Sequence, residues 1–461
     1  MIVATMFFPR GGSAHTVRDT AKELPRHGWD VTIVSGSRGD LGPDADARSF
    51  YRGLEVRPVD YAAAVRNPDE LSEDQAPMHP SYEDRPGAPD PVFASVDDAA
   101  FERHVRAWCR VLADAGATEA DLLCLHHLTP MNEAAARVAP DVPVVGHLHG
   151  TELLMLERIA AGAPASWTYA ERWADRMQHW AAASRRLLAA PGGRERAAQV
   201  LELPRDRFVP IPNGFDPDRF RPRRIDRLAH WGRHLVERPR GAIPGGDAGS
   251  LGYSQPELRP FADGVVLTYV GRFTEVKRVP LLIRAHALAQ PHFRRPAPLV
   301  LIGGYPGEHE GPHPAEVIAE TGARDVFLAG WRDHDALPEF LAASDAIVLP
   351  SVREQFGMVL VEGMACGLPA VAASSIGARS IVDDGRTGWL FPPDEAEAVA
   401  EALIRVVNDD SERQRRGREA RAAVLERFSM PSVVDRIAAV FDEESGRRAP
   451  AADPLEEPAD L

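Results

Sequence analysis

Apolar positions in this chain come in short solid blocks divided by glycine and proline, the rhythm of doubly buried strands alternating with one-sided helices. Ile2 to Phe7 is such a block, and it breaks at Pro9 and Gly11-Gly12. Val17, Ala21 and Leu24 then fall on one helical face that stops near His27-Gly28, and Val31 to Val34 reads as the next strand. A strand, a glycine turn, a helix and a strand open a doubly wound α/β domain. Leu122 to Leu125 and Val142 to Gly146 continue it, with Thr129-Pro130 as an N-cap followed by a first-turn proline.

Between Asp216 and Asp263 proline, glycine and arginine dominate and strand signals lapse. Alternation then restarts. Val265 to Val270, Leu299 to Ile302, Ala346 to Leu349 and Ala370 to Ala373 predict strands, and Pro280 to Ala289 predicts a helix with Leu281, Ala285 and Leu288 on one face. The pattern predicts an α/β protein of two Rossmann-like, doubly wound parallel-sheet domains facing across a cleft. Residues 1–215 form the first domain, with an aperiodic insertion at 67–100 read as a surface loop. Residues 216–263 form a linker, and 264–428 the second domain. A helix over 429–445 carries a stripe of Val433, Val434, Ile437, Val440 and Phe441 that must be covered. Residues 446–461 read as a disordered acidic tail.

Composition narrows the function. With 461 residues, 44% hydrophobic and 26% charged, the chain is an ordinary globular sequence too long for one core. Its net charge of −15 repels phosphate backbones and argues against nucleic acid as a partner. The first residues lack a signal peptide's charged start, and no apolar run approaches the roughly 20 residues of a membrane span. Cys109, Cys124 and Cys366 are scattered, which argues for a cytoplasmic location and against a cysteine metal site. The linker arginines, Arg219 to Arg240, read as a solvated mobile stretch, with a peripheral membrane contact as the alternative. Oligomeric state is not legible.

The chemistry concentrates in Pro350 to Pro369. A strand ends at Leu349, Glu354 sits in a short loop, and a helix starts near Gly357 and stops at Gly367, with Glu362 inside it. A fresh helix N-terminus offers unpaired N–H groups to a diphosphate, and a carboxylate on each side can take hydroxyls of a sugar and a ribose. Each glutamate alone is equally an ordinary helix-start residue. Context separates the readings: Gly271-Arg272 and Lys277 follow the strand Val265 to Val270, where α/β folds bind ligands. Arginine forks onto phosphate oxygens while lysine acts as a point charge, so the two can neutralise a departing diphosphate. No Walker glycine-lysine-serine pattern and no GxGxxG after a strand occurs, which disfavours a P-loop enzyme or an NAD oxidoreductase. His147 and His149 alternate at a strand end and could share a metal, but no third ligand is evident from the sequence.

Glu354 and Glu362 stand eight apart, an E-x7-E pattern. With Gly271-Arg272, Lys277, Gly11-Gly12, Ile211-Pro-Asn-Gly-Phe-Asp216 and Asp384-Gly-Arg-Thr-Gly388, the chain resembles a GT-B retaining glycosyltransferase of family four from residue 1 to about 441, insertions excepted. The resemblance implies a metal-independent hexosyltransferase. It would use a nucleoside-diphosphate sugar as co-substrate, no other cofactor, and an acceptor hydroxyl on a cell-surface glycan, a lipid-linked intermediate or a small metabolite. It also implies roles: Arg272 and Lys277 on the diphosphate, Glu354 on the donor sugar with main-chain groups of Phe356, Gly357, Met358 and Val359, and Glu362 on the ribose. Trp331 would meet the base edge or pack in the core. Gly11 and Gly12 would approach phosphate and acceptor, and His149 would lie beside the sugar's reactive face. Ile376-Gly377-Ala-Arg-Ser380 replaces the family's usual double glycine and glutamate. His79 and Tyr82, in the insertion, are candidate acceptor contacts. A sugar-nucleotide epimerase and a non-catalytic binding protein are the alternatives.

Overall fold

The computed structural model describes residues 1–9, 11–66, 76–83, 90–304, 307, 309–354 and 356–447. It divides into two compact units, Met1–Pro212 with Val433–Leu461, and Asn213–Ser432.

The first unit is built on a seven-stranded sheet in the order β3-β2-β1-β4-β5-β6-β7. Its strands are β1 (Ile2–Thr5), β2 (Thr32–Ser37), β3 (Glu55–Asp60), β4 (Leu123–His126), β5 (Val144–His147), β6 (Arg186–Ala189) and β7 (Phe208–Pro210). Every pairing is parallel. All four residues of β1 and of β4 are buried, as strands covered on both faces require. The edge strand β3 exposes Glu55, Arg57 and Asp60, buries Val59 and carries Pro58, which an edge tolerates because its N–H side meets no ladder.

The terminal helix, Met430–Glu444, covers its stripe within this unit from Val433 onward. Val433, Val434, Ile437 and Phe441 are buried, Phe441 meets the Trp29 ring edge-on at 6.2 Å, and the Arg186 guanidinium donates to Glu444 at 2.9 Å. Of the tail, Gly446 and Arg447 are described, and Arg447 donates to the Gly28 carbonyl at 3.0 Å; the rest lies outside the described residues.

The insertion at 67–100 is not simply a surface loop. Its described parts fold inward: Ser81 bridges Val92, His79 and Tyr82 are buried, and the Tyr82 hydroxyl donates to the Leu128 carbonyl at 2.7 Å. Both side chains are committed to packing, which removes them as acceptor contacts. The stretches 67–75 and 84–89 lie outside the described residues.

The second unit carries a six-stranded parallel sheet in the order β10-β9-β8-β11-β12-β13, the Rossmann strand order. Its strands are β8 (Leu267–Val270), β9 (Leu299–Ile302), β10 (Val326–Gly330), β11 (Ala346–Leu349), β12 (Ala370–Ala373) and β13 (Gly388–Phe391). Two expectations are corrected here. The helix Val279–Ala289 buries Val279, Leu282, Ile283, Ala285, His286 and Ala289, while Leu288 is exposed, so the core face lies about one residue away from the stripe read in the sequence. Residues 216–263 are no loose linker. Trp231, Leu235, Leu258 and Phe261 enter this unit's core, Arg227 pairs with Asp345 at 2.9 Å, and Arg219 pairs with Asp335 at 2.6 Å. Three of the arginines that read as a solvated patch, Arg219, Arg227 and Arg240, are held in ion pairs on a folded segment.

Gly303, just past β9, has φ +132, and a Cβ there would lie 1.9 Å from the Gly271 carbonyl oxygen. Both terms oppose any side chain, because the conformation is strained for L-residues and the obstacle is backbone. Gly303→Ala should cost at least about 2 kcal/mol, seen as a fall of several degrees in the melting temperature. An unchanged melting temperature would show that the β8 and β9 ends are not held this close. Among the described residues, no helix is long and apolar enough to cross a membrane.

Candidate functional site

In the second unit, the C-terminal ends of β8 and β11 hold one cluster of charge. β8 hands over to Gly271-Arg272, and the buried Tyr269 hydroxyl donates to the Arg272 carbonyl at 2.7 Å, fixing the turn. A single 3-10 turn, Glu275–Lys277, follows. Its Val276 carbonyl accepts from the Val352 amide at 3.0 Å and the Ser351 hydroxyl at 3.2 Å, tying it to the loop after β11. That anchoring brings Lys277 Nζ to 2.5 Å from Glu354 Oε2, with the two side chains 20% and 17% exposed. Burial pushes the Tyr269 phenol far above its ordinary value. The Glu354 carboxylate pushes it the same way and the Arg272 charge opposes, so both charges lie near one ring.

The Glu354 carbonyl accepts from the Gly377 amide at 3.0 Å, so the altered 376–380 segment still braces this loop. Gly357, with φ +91, then turns the chain into the helix Met358–Ala365 as its N-cap, and no side chain caps the helix. A Cβ on Gly357 would meet Glu354 Cγ at 3.2 Å, so a larger residue would press on the glutamate. Phe356 is buried edge-on to Phe428 at 5.3 Å, and Met358 and Val359 lie in the first turn, where N–H groups lack intrahelical partners. Glu362 is buried just over one turn into the helix. Its Oε1 lies 2.6 Å from His334 Nε2, and an ionised carboxylate only accepts, so the ring nitrogen carries the hydrogen. Trp331, directly after β10, is 44% exposed, which rules out simple core packing. Of the expected residues, Lys277 pairs with Glu354, Arg272 lies near them, and Phe356 to Glu362 continue the same loop and helix.

The first unit holds the remaining candidates. Gly11 is the uncapped N-cap of the helix Gly12–Glu23, and a Cβ on either glycine would meet nothing within 4 Å. Open space in this unit therefore does not by itself demand glycine there. His149 follows β5, and its backbone N–H donates to Glu152 Oε1 at 2.8 Å. Glu152 is fully buried, a position that raises a carboxyl pKa. The His127 ring and hydrogen bonds from His127 and the Glu152 and His149 amides outweigh this and hold it below the ordinary carboxylate range.

The structure also supplies what the sequence left hidden. His126 Nδ1 lies 2.8 Å from His149 Nε2, and His126, His147 and His149 offer nitrogens all within 4.8 Å of one another. His126 is the third candidate ligand that could not be seen in the sequence, because only the parallel register of β4 and β5 sets it opposite His147. Burial first, then the neighbouring imidazoles, push His126 and His149 well below the usual histidine range, and His147 falls to about 4. His334, the partner of Glu362, was also missed; a lone histidine in a loop gave no signal.

Residues 254–423 match the model of glycosyl transferases group 1, and residues 10–219 match that of glycosyltransferase family 4. Over 165 residues the chain is 36% identical to D-inositol 3-phosphate glycosyltransferase of Kribbella flavida, covering 34% of this chain and 39% of that protein. Over 182 residues it is 29% identical to alpha-D-kanosaminyltransferase of Streptomyces kanamyceticus, covering 39% and 46%. The match thus spans less than half the length of these curated relatives. Among solved structures, sucrose-phosphate synthase from Thermosynechococcus elongatus aligns over 97% of this chain and 99% of its own, at 19% identity and a TM-score of 0.64. Anabaena Alr3699/HepE in complex with UDP and glucose aligns over 96% and 99%, at 19% identity and 0.61. Likeness at such low identity establishes the fold, the paired Rossmann-like architecture called GT-B.

Proposed function

Since the chain belongs to the family four, group 1 glycosyltransferases, we propose that it moves a hexosyl unit from a nucleoside-diphosphate sugar to an acceptor hydroxyl, with retention at the anomeric carbon. The observation that carries this reading is the Lys277–Glu354 pair set before the uncapped helix at Met358, with Glu362 inside that helix. Arg272 and Lys277 take the diphosphate and stabilise its charge as it leaves. The amides of Phe356 to Val359 take diphosphate oxygens at the helix start and, with the Glu354 carboxylate, orient the donor sugar. Glu362 exchanges its His334 partner for ribose hydroxyls, and Trp331 offers an exposed ring for the base edge. The family resemblance further assigns Gly11 and Gly12 to the approach of phosphate and acceptor, and His149 to the sugar's reactive face. Two side-chain cations and a helix N-terminus supply positive charge, and the resemblance implies that the transfer itself runs without a divalent ion. As the leaving bond lengthens, the departing phosphate accepts the acceptor's proton while the acceptor oxygen attacks from the same face.

The test is turnover of a panel of UDP-, GDP- and ADP-sugars, amino sugars among them, with polyol phosphates and other hydroxyl acceptors, the amino-sugar and polyol-phosphate classes being those in the relatives' names. Release of one nucleoside diphosphate that depends on acceptor, with the product's anomeric proton signal retaining the donor configuration, is expected. Isomerised donor without acceptor would favour an epimerase, and an inverted product would remove the retaining mechanism.

A further inference from the structure

We infer that the C-terminal ends of β4 and β5 form a transition-metal site whose ligands are His126, His147 and His149. Three features of the first unit meet here. The parallel register sets His126 directly opposite His147, with ring centroids 4.8 Å apart. The i, i+2 spacing brings His149 alongside, its ring 4.7 Å from His147 and 5.0 Å from His126. Each ring then offers a nitrogen within 4.8 Å of one on each of the other two, and His126 Nδ1 and His149 Nε2 already lie 2.8 Å apart.

Three imidazoles packed this closely form an unusual core, because aromatic packing is served equally well by apolar rings without desolvating ring nitrogens. Imidazole nitrogens suit borderline divalent ions such as Zn²⁺ and Co²⁺, and the three supply the protein's share of a tetrahedral site with one open position. Bonds of about 2.0–2.1 Å set such nitrogens about 3.3 Å apart. Two of the nitrogens must therefore part by about half an ångström and the third must swing inward, which is within reach of side-chain rotation.

The protons balance without release. Today one of His126 Nδ1 and His149 Nε2 carries the hydrogen of their mutual bond. On binding, each ring keeps its single N–H on the nitrogen facing away from the ion. For His126 that is Nε2, which lies 3.9 Å from Cys124 Sγ, a weak acceptor placed to orient the ligand from outside. The site stands on the geometry of this unit alone. Only its consequence rests on the proposed function: an ion held by His149 removes that ring from the sugar's reactive face, so Zn²⁺ inhibits transfer rather than supporting it.

The experiment is a titration of the chelator-stripped full-length chain with Co²⁺ alone, followed by visible d–d absorption and calorimetry. One equivalent with the intense bands of tetrahedral coordination is expected, with binding weakened at least 100-fold in His147→Phe, which preserves the ring stack, and unchanged in His15→Ala. Should His147→Phe fail to give a wild-type circular dichroism spectrum, His126→Gln takes its place. Wild-type protein without tetrahedral bands, or bands that persist in a folded ligand variant, would overturn the site whatever the turnover assay shows. Intact bands in a protein that transfers no sugar would instead overturn the transferase reading and leave the metal site standing.

Discussion

Lys277→Ala lowers kcat/KM for the sugar donor by about 10²–10³-fold, the usual effect of deleting one preorganised charge from a group whose negative charge grows in the transition state. The geometry explains why the loss falls on catalysis rather than folding. Lys277 sits on a single 3-10 turn and reaches Glu354 through a partly exposed pair, and such pairs contribute little to stability. Removing it also frees Glu354, leaving a carboxylate near the diphosphate without its counter-ion. The same variant therefore binds the free nucleoside diphosphate more weakly as well, and Lys277→Arg recovers part of both losses by restoring the charge. Steady-state kinetics beside a melting curve check this. An unfolded variant, or an alanine variant with near-native kcat/KM, would remove Lys277 from the role assigned to it.

Acidification begins to destabilise the protein above the pH at which carboxylates titrate. His104, His230 and His286 are buried, and burial lowers them from 6.5 to about 4, about 3 and about 4. All three are neutral in the folded chain at pH 5, whereas in the unfolded chain they are protonated. Unfolding therefore takes up protons. The stability these rings confer is complete above about pH 6.5, the unfolded value, and is lost progressively as pH falls toward the folded values. At pH 5 each costs about 2 kcal/mol, so the first unit, which holds His104, loses about 2 kcal/mol and the second, which holds His230 and His286, about 4 kcal/mol, a large share of an ordinary domain's stability. Melting temperatures measured from pH 7.5 to 4.5 should fall steeply below pH 6.5, and calorimetry in buffers of different ionisation enthalpy should show net proton uptake on unfolding. A flat profile across this range would mean that these imidazoles are not excluded from water.

The strands and the site loop were legible because each is a local signal. The solid apolar runs of β1, β4, β8, β9, β11 and β12 read directly, and Gly357 and Gly367 bracket the helix Met358–Ala365 as expected. Both compact units carry parallel sheets, as the alternation of strands and helices implied. Signals that depend on tertiary partners stayed hidden. β3 is polar because it is an edge, and β7 is only three residues long. Trp231 and Phe261 are buried in the core but stand too far apart to form a stripe, so arginine dominated the reading of that segment. The insertion failed in the same way. Tyr82 looked like an exposed recognition residue until its hydroxyl met the Leu128 carbonyl, a contact between residues distant in sequence. The clustering of His126 with His149 likewise follows from sheet register, which the spacing of histidines along a chain does not reveal.

The central claim is that one nucleoside diphosphate lies on the amides at the start of the helix Met358–Ala365 with Lys277 on its phosphates. A crystal structure of the full chain grown with the diphosphate that turnover selects tests it most directly. The account predicts phosphate oxygens within hydrogen-bond distance of Lys277 Nζ and the Gly357 to Val359 amides, and ribose hydroxyls on Glu362 in place of His334. A nucleotide bound elsewhere, with the Lys277–Glu354 and His334–Glu362 pairs undisturbed, would contradict it.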